Sequence, residues 1–415
     1  MKIMNEAGDD VDIAVIGGGA SGILAAISAA RNGADVTIYE RMDRIGKKIL
    51  ATGNGRCNYT NINASVDNFH GKNPQFINEA VSRFWIKETN LFFSELGMLT
   101  KVLENGKAYP YSLQASAVLD VLRYEIERLG VSVVTEFEVE KIKKTDSRFV
   151  IKSYNGKTVY ADKVILSAGG KASPSLGSNG SGYKIAQSFG HKVSELYPSL
   201  VQIKTDTTLI KALKGVKLDA NVLIETGNKK LSSFGEVLFT EYGLSGPAIF
   251  NVSRVCAEKK DAQVTLDILP EIEFDELYKI LKSRRSKYRN LETFFVGMVN
   301  KKVGMVVMKY ADVLPFSRIS DTITDSEIKR ICYALKNFKL KVTGTMSWNN
   351  AQVTAGGVLT DDINPETMES KLCKGLFITG EILDIDGDCG GYNLQWAWSS
   401  GYIAGINASE EKCDA

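Results

Sequence analysis

An apolar run, Asp12-Ile-Ala-Val-Ile, passes directly into Gly17-Gly-Gly19-Ala20-Ser21-Gly22 and then into a helical stretch rich in alanine and isoleucine. The spacing gives each glycine a separate task. Gly17 permits the tight turn, Gly19 lets the backbone approach a pyrophosphate, and Gly22 lets the helix pack closely on the strand. The helix that begins at Ala20 and Ser21 aims its free N–H groups and positive dipole end at phosphate. A second apolar run, Ala34-Asp-Val-Thr-Ile-Tyr, ends in Glu40, at the distance where a carboxylate grips the ribose of an ADP moiety. A glycine motif alone is weak evidence. With strand before, helix after and acid at the right spacing, it reads as a site for an ADP-containing cofactor.

The segment after Glu40 favours FAD over a nicotinamide cofactor. Arg41 to Asn58 is polar, basic and rich in glycine, where a plain NAD domain should continue with another βα unit. A cofactor that extends past its pyrophosphate needs a second backbone cradle. Gly53 and Gly55 allow close approach, while Lys48 and Arg56 supply charge beside phosphate or a reduced flavin, and Arg41, Thr52, Cys57 and Asn58 in the same segment are expected at the cofactor. A solvated surface loop is the competing reading. The C-terminus supplies the other half: Gly375-Leu-Phe-Ile-Thr-Gly380-Glu381 is a strand ending in Gly-Glu, followed by Asp384. Then Gly390-Gly391-Tyr-Asn393-Leu394-Gln395 opens a helix rich in small residues. A helix N-terminus against the N1–C2=O edge of a flavin stabilises the charge gathered there on reduction.

These pieces, together with Val164-Ile-Leu-Ser-Ala168-Gly169-Gly170, Gly235 to Pro247 and Ala351 to Gly357, resemble the three-domain bacterial NAD(P)/FAD-dependent oxidoreductases. That family includes aminoacetone-oxidase-like and bile-acid-pathway flavoproteins. The resemblance implies an α/β fold: a Rossmann-like, glutathione-reductase-like FAD-binding domain interrupted by a β-rich and a helical insertion. Ala168 and Gly169, and Val139 in the extra β-element, are expected on the cofactor side. Asp388-Cys389 stands where the family varies, so no cysteine chemistry is carried over to it.

Fifty-one basic against 49 acidic residues leave the chain nearly neutral and give no electrostatic argument for nucleic acid or membrane. Cys57, Cys256, Cys332, Cys373, Cys389 and Cys413 form no CxxC, and with only His70 and His191 available no metal site is expected. Reduced thiols and a cytoplasmic location follow. Glu6, Asp9, Asp10 and Asp12 precede the first apolar stretch and argue against a signal peptide, and no run is long enough for a spanning helix.

Periodicity divides the chain into a first FAD-binding part (1–195), a β-rich insertion (196–272), a helical insertion (273–340) and a second FAD-binding part (341–415). Gln114 to Gly130 reads as a helix and Val131 to Val134 as a strand. Phe137 to Val150 and Lys157 to Tyr160 read as hairpin-like strands. Ser175 to Gly182 opens a helix that ends at Gly190; it lacks the flanking strands of a second nucleotide fingerprint. Ser245-Gly-Pro247 predicts an N-cap and early-helix proline for Ala248 to Ala257. The basic cluster Lys282 to Lys287 reads as a solvated helix face. An insertion that interrupts a cofactor domain is expected to serve the substrate.

The catalytic residues stay unknown at this level. His70, in an expected loop, and His191, after a helix end, read as structural, and Cys57 as a buried thiol, with a Cys57–Cys389 redox pair the less favoured alternative. The leading function is FAD-dependent hydride transfer between NAD(P)H and a small or steroid-like substrate. An O₂-using amine or aminoketone oxidase is the alternative, and a flavin-dependent RNA-modifying protein is disfavoured by the neutral charge. Nothing in the sequence speaks to oligomeric state.

Overall fold

A computed structural model describes residues 11–227, 229–258 and 262–410; Glu6, Asp9, Asp10 and Cys413 lie outside them. Contacts divide the chain into one unit of residues 1–197 and 352–415 and another of 198–351. In the first, five parallel strands line up in the order Leu376–Ile378, Lys163–Leu166, β1 (Asp12–Ile16), β2 (Asp35–Tyr39) and Ser132–Val134. The central strand is buried almost throughout, as a parallel strand covered on both faces should be. Helix α1 (Ala20–Arg31) joins β1 to β2. The extra β-element has three strands rather than two: the run expected from 137 to 150 breaks at the turn after Thr145, giving Val139–Lys144, Phe149–Ser153 and Thr158–Ala161.

α1 is packed unusually close to the C-terminal helix Tyr392–Ser409. A side chain at Gly401 would reach within 2.3 Å of the Ser21 carbonyl, and one at Gly405 within 2.3 Å of the Ala25 carbonyl. The small residues seen in the sequence are what permit this approach.

In the unit of residues 198–351, Ile203–Thr205, Gly243–Ser245, Lys229–Phe239, Lys217–Thr226, Gln263–Asp267 and Phe338–Thr345 close into a barrel in that order. Helices Pro247–Glu258, Phe274–Arg284, Lys301–Tyr310 and Asp325–Lys336 share one apolar core with it. The β-rich and helical insertions expected as separate pieces are therefore a single unit. The expected return to the cofactor domain at 341 also falls too early. Phe338, Leu340 and Val342 point inward while Lys339 and Lys341 point out, a period-2 pattern that makes this segment a barrel strand. Ser245 is not a helix cap: it ends a strand, and Pro247 is the first helical residue after Gly246. Gly405→Val should lower stability by about 1–3 kcal/mol through overpacking against α1, read as a shifted denaturation midpoint; an unchanged midpoint would contradict this helix pairing.

Candidate functional site

The turn after β1 distributes its glycines as the spacing requires. Gly17 has φ +106 and donates its N–H to the Tyr39 carbonyl at 2.9 Å, tying the turn to β2. A side chain at Gly22 would lie 2.0 Å from the Gly17 carbonyl and 2.5 Å from Ser167 Oγ. At Gly19, by contrast, a side chain would meet nothing within 4 Å. The start of a 12-residue helix thus opens onto free space at the one glycine that should face a pyrophosphate. Ala20 is half-buried and Ser21 buried, and Gly380 packs against Ser21. That contact brings the C-terminal Gly380-Glu381 turn to the same helix end.

Glu40 is 8% exposed and lies immediately after β2. Its Oε2 accepts the Gly18 N–H and its Oε1 the Met42 N–H, both at 2.8 Å. Each oxygen keeps a second lone pair that a ribose hydroxyl can use. The Phe137 N–H donates to the Glu40 carbonyl, which draws the strand beginning at Val139 alongside. Arg41 faces protein groups: its Nη1 donates to the Gly177 carbonyl at 3.2 Å, and its Nε lies 3.4 Å from Glu138 Oε1.

Lys48, expected to supply charge beside a phosphate or a reduced flavin, is engaged within the protein. Its Nζ lies 2.7 Å from Glu381 Oε2 and 3.3 Å from the Ala172 carbonyl, while Glu381 Oε1 accepts the Thr354 N–H at 3.0 Å. The two charges neutralise each other and join three segments. Thr354 also accepts N–H groups from Lys171 and Ala172. Its role was not legible as an isolated residue, although the Ala351–Gly357 motif around it was. Ala168 and Gly169 follow the strand Lys163–Leu166, with Gly169 close to Ser178.

The second cradle is a tight turn from Thr52 to Asn58. Thr52 Oγ1 donates to the Ile49 carbonyl at 2.6 Å, and the Cys57 N–H donates to the Thr52 carbonyl at 3.0 Å. Gly53 is crowded by the Asn58 backbone, whereas Gly55 faces open space. The Arg56 guanidinium lies 5.2 Å from the centre of the Tyr109 ring, a neighbour that sequence reasoning missed. Cys57 is fully buried, and burial pushes its thiol up to about 12, so it is an uncharged packing residue at neutral pH. Asn58 is buried, and its Oδ1 has no hydrogen-bond partner among the described residues. A buried acceptor left unpaired is costly unless a ligand supplies the donor.

The third element is the turn that opens the C-terminal helix. Gly391 has φ +99 and sits next to Asn58: a side chain there would lie 3.0 Å from Asn58 Oδ1 and 2.5 Å from the Thr60 carbonyl. The close approach expected at Gly391 is thus made, in the side-chain direction, by the protein's own backbone. The Asn393 side chain, expected at the cofactor, clamps its own turn. It accepts the Gly387 N–H and donates to the Gly387 carbonyl, both at 2.8 Å. Asp384 is buried, with Oδ2 3.4 Å from the Lys72 N–H, and Leu394 is half-buried. His70 is in a two-residue strand, Phe69–His70, rather than a loop, and is paired with Asp386–Gly387. His191 is buried and bonded to Ser370 Oγ at 2.8 Å.

The residues present suit a flavin carrying ADP: open space at the α1 start, a carboxylate with spare lone pairs, and an unpaired buried amide oxygen beside the second turn. Strand, glycine turn, helix and acid in this arrangement define a Rossmann-type FAD-binding oxidoreductase. The chain belongs to the family described as HI0933-like protein Rossmann domain, which it matches over residues 11–407. It is 42% identical over 412 residues to a 3-dehydro-bile acid delta(4,6)-reductase of Clostridium scindens, covering 96% of this chain and 99% of that one. It is also similar to ribosomal RNA dihydrouridine synthases. The Haemophilus influenzae protein is 30% identical, covering 96% of this chain and 98% of the relative; the Escherichia coli protein is 29% identical, covering 94% and 96%. No helix among the described residues is long and apolar enough to cross a membrane.

Gly19→Ala and Gly22→Ala separate cofactor contact from packing. Gly19→Ala should keep the stability of the apoprotein and lose FAD affinity, read by melting and by flavin fluorescence titration. Gly22→Ala should cost about 1–3 kcal/mol of stability by overpacking. The opposite pattern would remove the pyrophosphate from this turn.

Proposed function

We propose that this protein holds FAD and, with electrons from NAD(P)H, reduces a carbon–carbon double bond conjugated to a carbonyl in a small, steroid-like molecule. The observation that carries the FAD part is the buried Glu40 carboxylate at the mouth of α1, since only a dinucleotide flavin presents an adenosine ribose there. Backbone N–H groups of residues 19–22, at the start of α1, would hold the pyrophosphate. Val139 would flank the adenosine side, and the turns at 52–58, 380–381 and 391 would hold the remainder. FAD, when bound, supplies a hydride acceptor and donor at N5. The chain's own part is to place that atom, exclude water and furnish a proton.

The substrate class is supported by the bile-acid reductase, which this chain matches over nearly the full length of both. Taken as chemistry, a delta(4,6)-reduction and the formation of dihydrouridine both saturate a double bond conjugated to a carbonyl. One active-site chemistry therefore spans both sorts of relative.

RNA is the second reading, and one observation favours it. The near-neutral total conceals a split: residues 198–351 carry 24 lysines and arginines against 17 acids, while the remaining segments carry 27 against 32. A net +7 on one unit can attract a polyanion. Against it, the basic cluster is largely engaged within its own unit. Lys282 and Arg285 pair with Asp325, and Arg284 donates to the Phe294 and Val296 carbonyls and lies 4.5 Å from the centre of the Tyr288 ring. We favour the small-molecule reading.

Anaerobic mixing decides among the readings, with flavin absorbance followed near ~450 nm because bleaching reports hydride arrival. NADH or NADPH should bleach the protein, and a 3-oxo-4-ene steroid should restore the colour faster than a uridine-rich RNA hairpin. Colour restored only by RNA would establish the second reading. Bleaching by aminoacetone in place of NAD(P)H, with peroxide formed on admitting air, would establish an oxidase instead.

A further inference from the structure

We propose that His70 is the proton donor of this reduction and that Asp388 holds it in place; the proposal rests on the double-bond reading above. Saturating a conjugated double bond takes a hydride on the β carbon and a proton on the α carbon. As the hydride arrives, the π pair moves toward the carbonyl; it then forms the new C–H bond at the α carbon with the donated proton. NAD(P)H is the reductant oxidised overall, and the protein must supply the proton, which water later replaces.

Few groups around the turns described above can do so. Cys57 is fully buried, and burial raises its thiol to about 12. Burial also raises the thiol of Cys389 and the phenol of Tyr183, the latter with help from Glu381 and Asp384. His191, the second of two histidines, is 3% exposed and its protonated form is disfavoured by burial.

His70 differs in exposure and in its partner. Its side chain is 34% exposed, and Nε2 lies 2.8 Å from Asp388 Oδ1. The other carboxylate oxygen accepts from Asn68 Nδ2 at 3.1 Å, and the Asp388 N–H donates to the Asn68 carbonyl at 2.9 Å. A carboxylate accepts only, so Nε2 donates to it; in the donor state the ring is the imidazolium, Nδ1–H gives its proton to the α carbon, and the neutral Nε2–H form left behind is reprotonated at Nδ1 by water. An acid–histidine pair of this kind fixes ring orientation and tautomer. The backbone pairing of His70 with Asp386 already joins these strands, and a half-exposed pair adds little stability, so the fold does not require it. Asp388 stands two residues before Gly390, whose carbonyl accepts from Asn61 Nδ2 at 3.1 Å. The pair is thus built onto the turn that opens the C-terminal helix beside Asn58.

The test uses the FAD-loaded protein, pre-reduced with dithionite and mixed anaerobically with 4-androstene-3,17-dione or with ferricyanide, which needs no proton on carbon. His70→Ala should bind FAD as the wild type does and recolour normally with ferricyanide. With the steroid it should recolour about a hundredfold more slowly, and added imidazole should recover at least a tenth of the wild-type rate. In the ¹⁵N-labelled apoprotein, the neutral form of His70 should show the Nε2–H tautomer alone, a preference that Asp388→Ala abolishes. Wild-type recolouring by His70→Ala, absence of imidazole rescue, or a mixed tautomer in the wild type would each overturn the proposal. A wild-type protein that the steroid fails to recolour, while ferricyanide succeeds, would overturn the double-bond reading and the proposal with it.

Discussion

The site depends on how closely the backbone comes to α1. Near its start, Gly22 lies against the Gly17 carbonyl, and one face carries Gly401 and Gly405 of the C-terminal helix at backbone distance. Every one of these approaches excludes even a methyl group. They leave α1 almost no freedom to slide or tilt, and so fix where its unpaired N–H groups point. They also bring the Gly380 turn against Ser21, so two segments more than 350 residues apart meet at one helix end. Interiors packed this tightly transmit small displacements instead of absorbing them, and the turn geometry is correspondingly defined.

Under the proposed reading, a pyrophosphate would be held by backbone more than by side-chain charge. Lys48 is neutralised by Glu381, and Arg41 is held by Glu138 and the Gly177 carbonyl. The N–H groups and dipole of α1 remain to face a pyrophosphate. The engaged cations serve instead to join loops: Lys48 alone ties the helix Lys47–Ala51 to Ala172 and to Glu381.

Local signals were readable in the sequence wherever one segment determines its own shape. The β1–turn–α1–β2 unit, the helix Ala115–Arg128 and the glycine-opened C-terminal helix all declare themselves through period and glycine placement. What stayed hidden depends on partners distant in the chain. The engagement of Lys48 needs Glu381, 333 residues away, and the side-chain amide of Asn393 is bonded on both sides to Gly387, which no local pattern announces. His70 reads as a loop residue because two-residue strands carry no period, and its partner Asp388 lies 318 residues on. The strand 338–345 did carry an alternating pattern, but the preceding helices and the resumption of cofactor motifs after it drew the boundary to the wrong side.

Identification of the bound flavin tests the central claim most directly. The purified protein, reconstituted if necessary with an equimolar mixture of FAD and FMN, is denatured and the released flavin is separated by chromatography. The Glu40 carboxylate and the open start of α1 predict FAD alone. Recovery of FMN, or of no flavin from a protein shown to be folded, would contradict the account at its foundation.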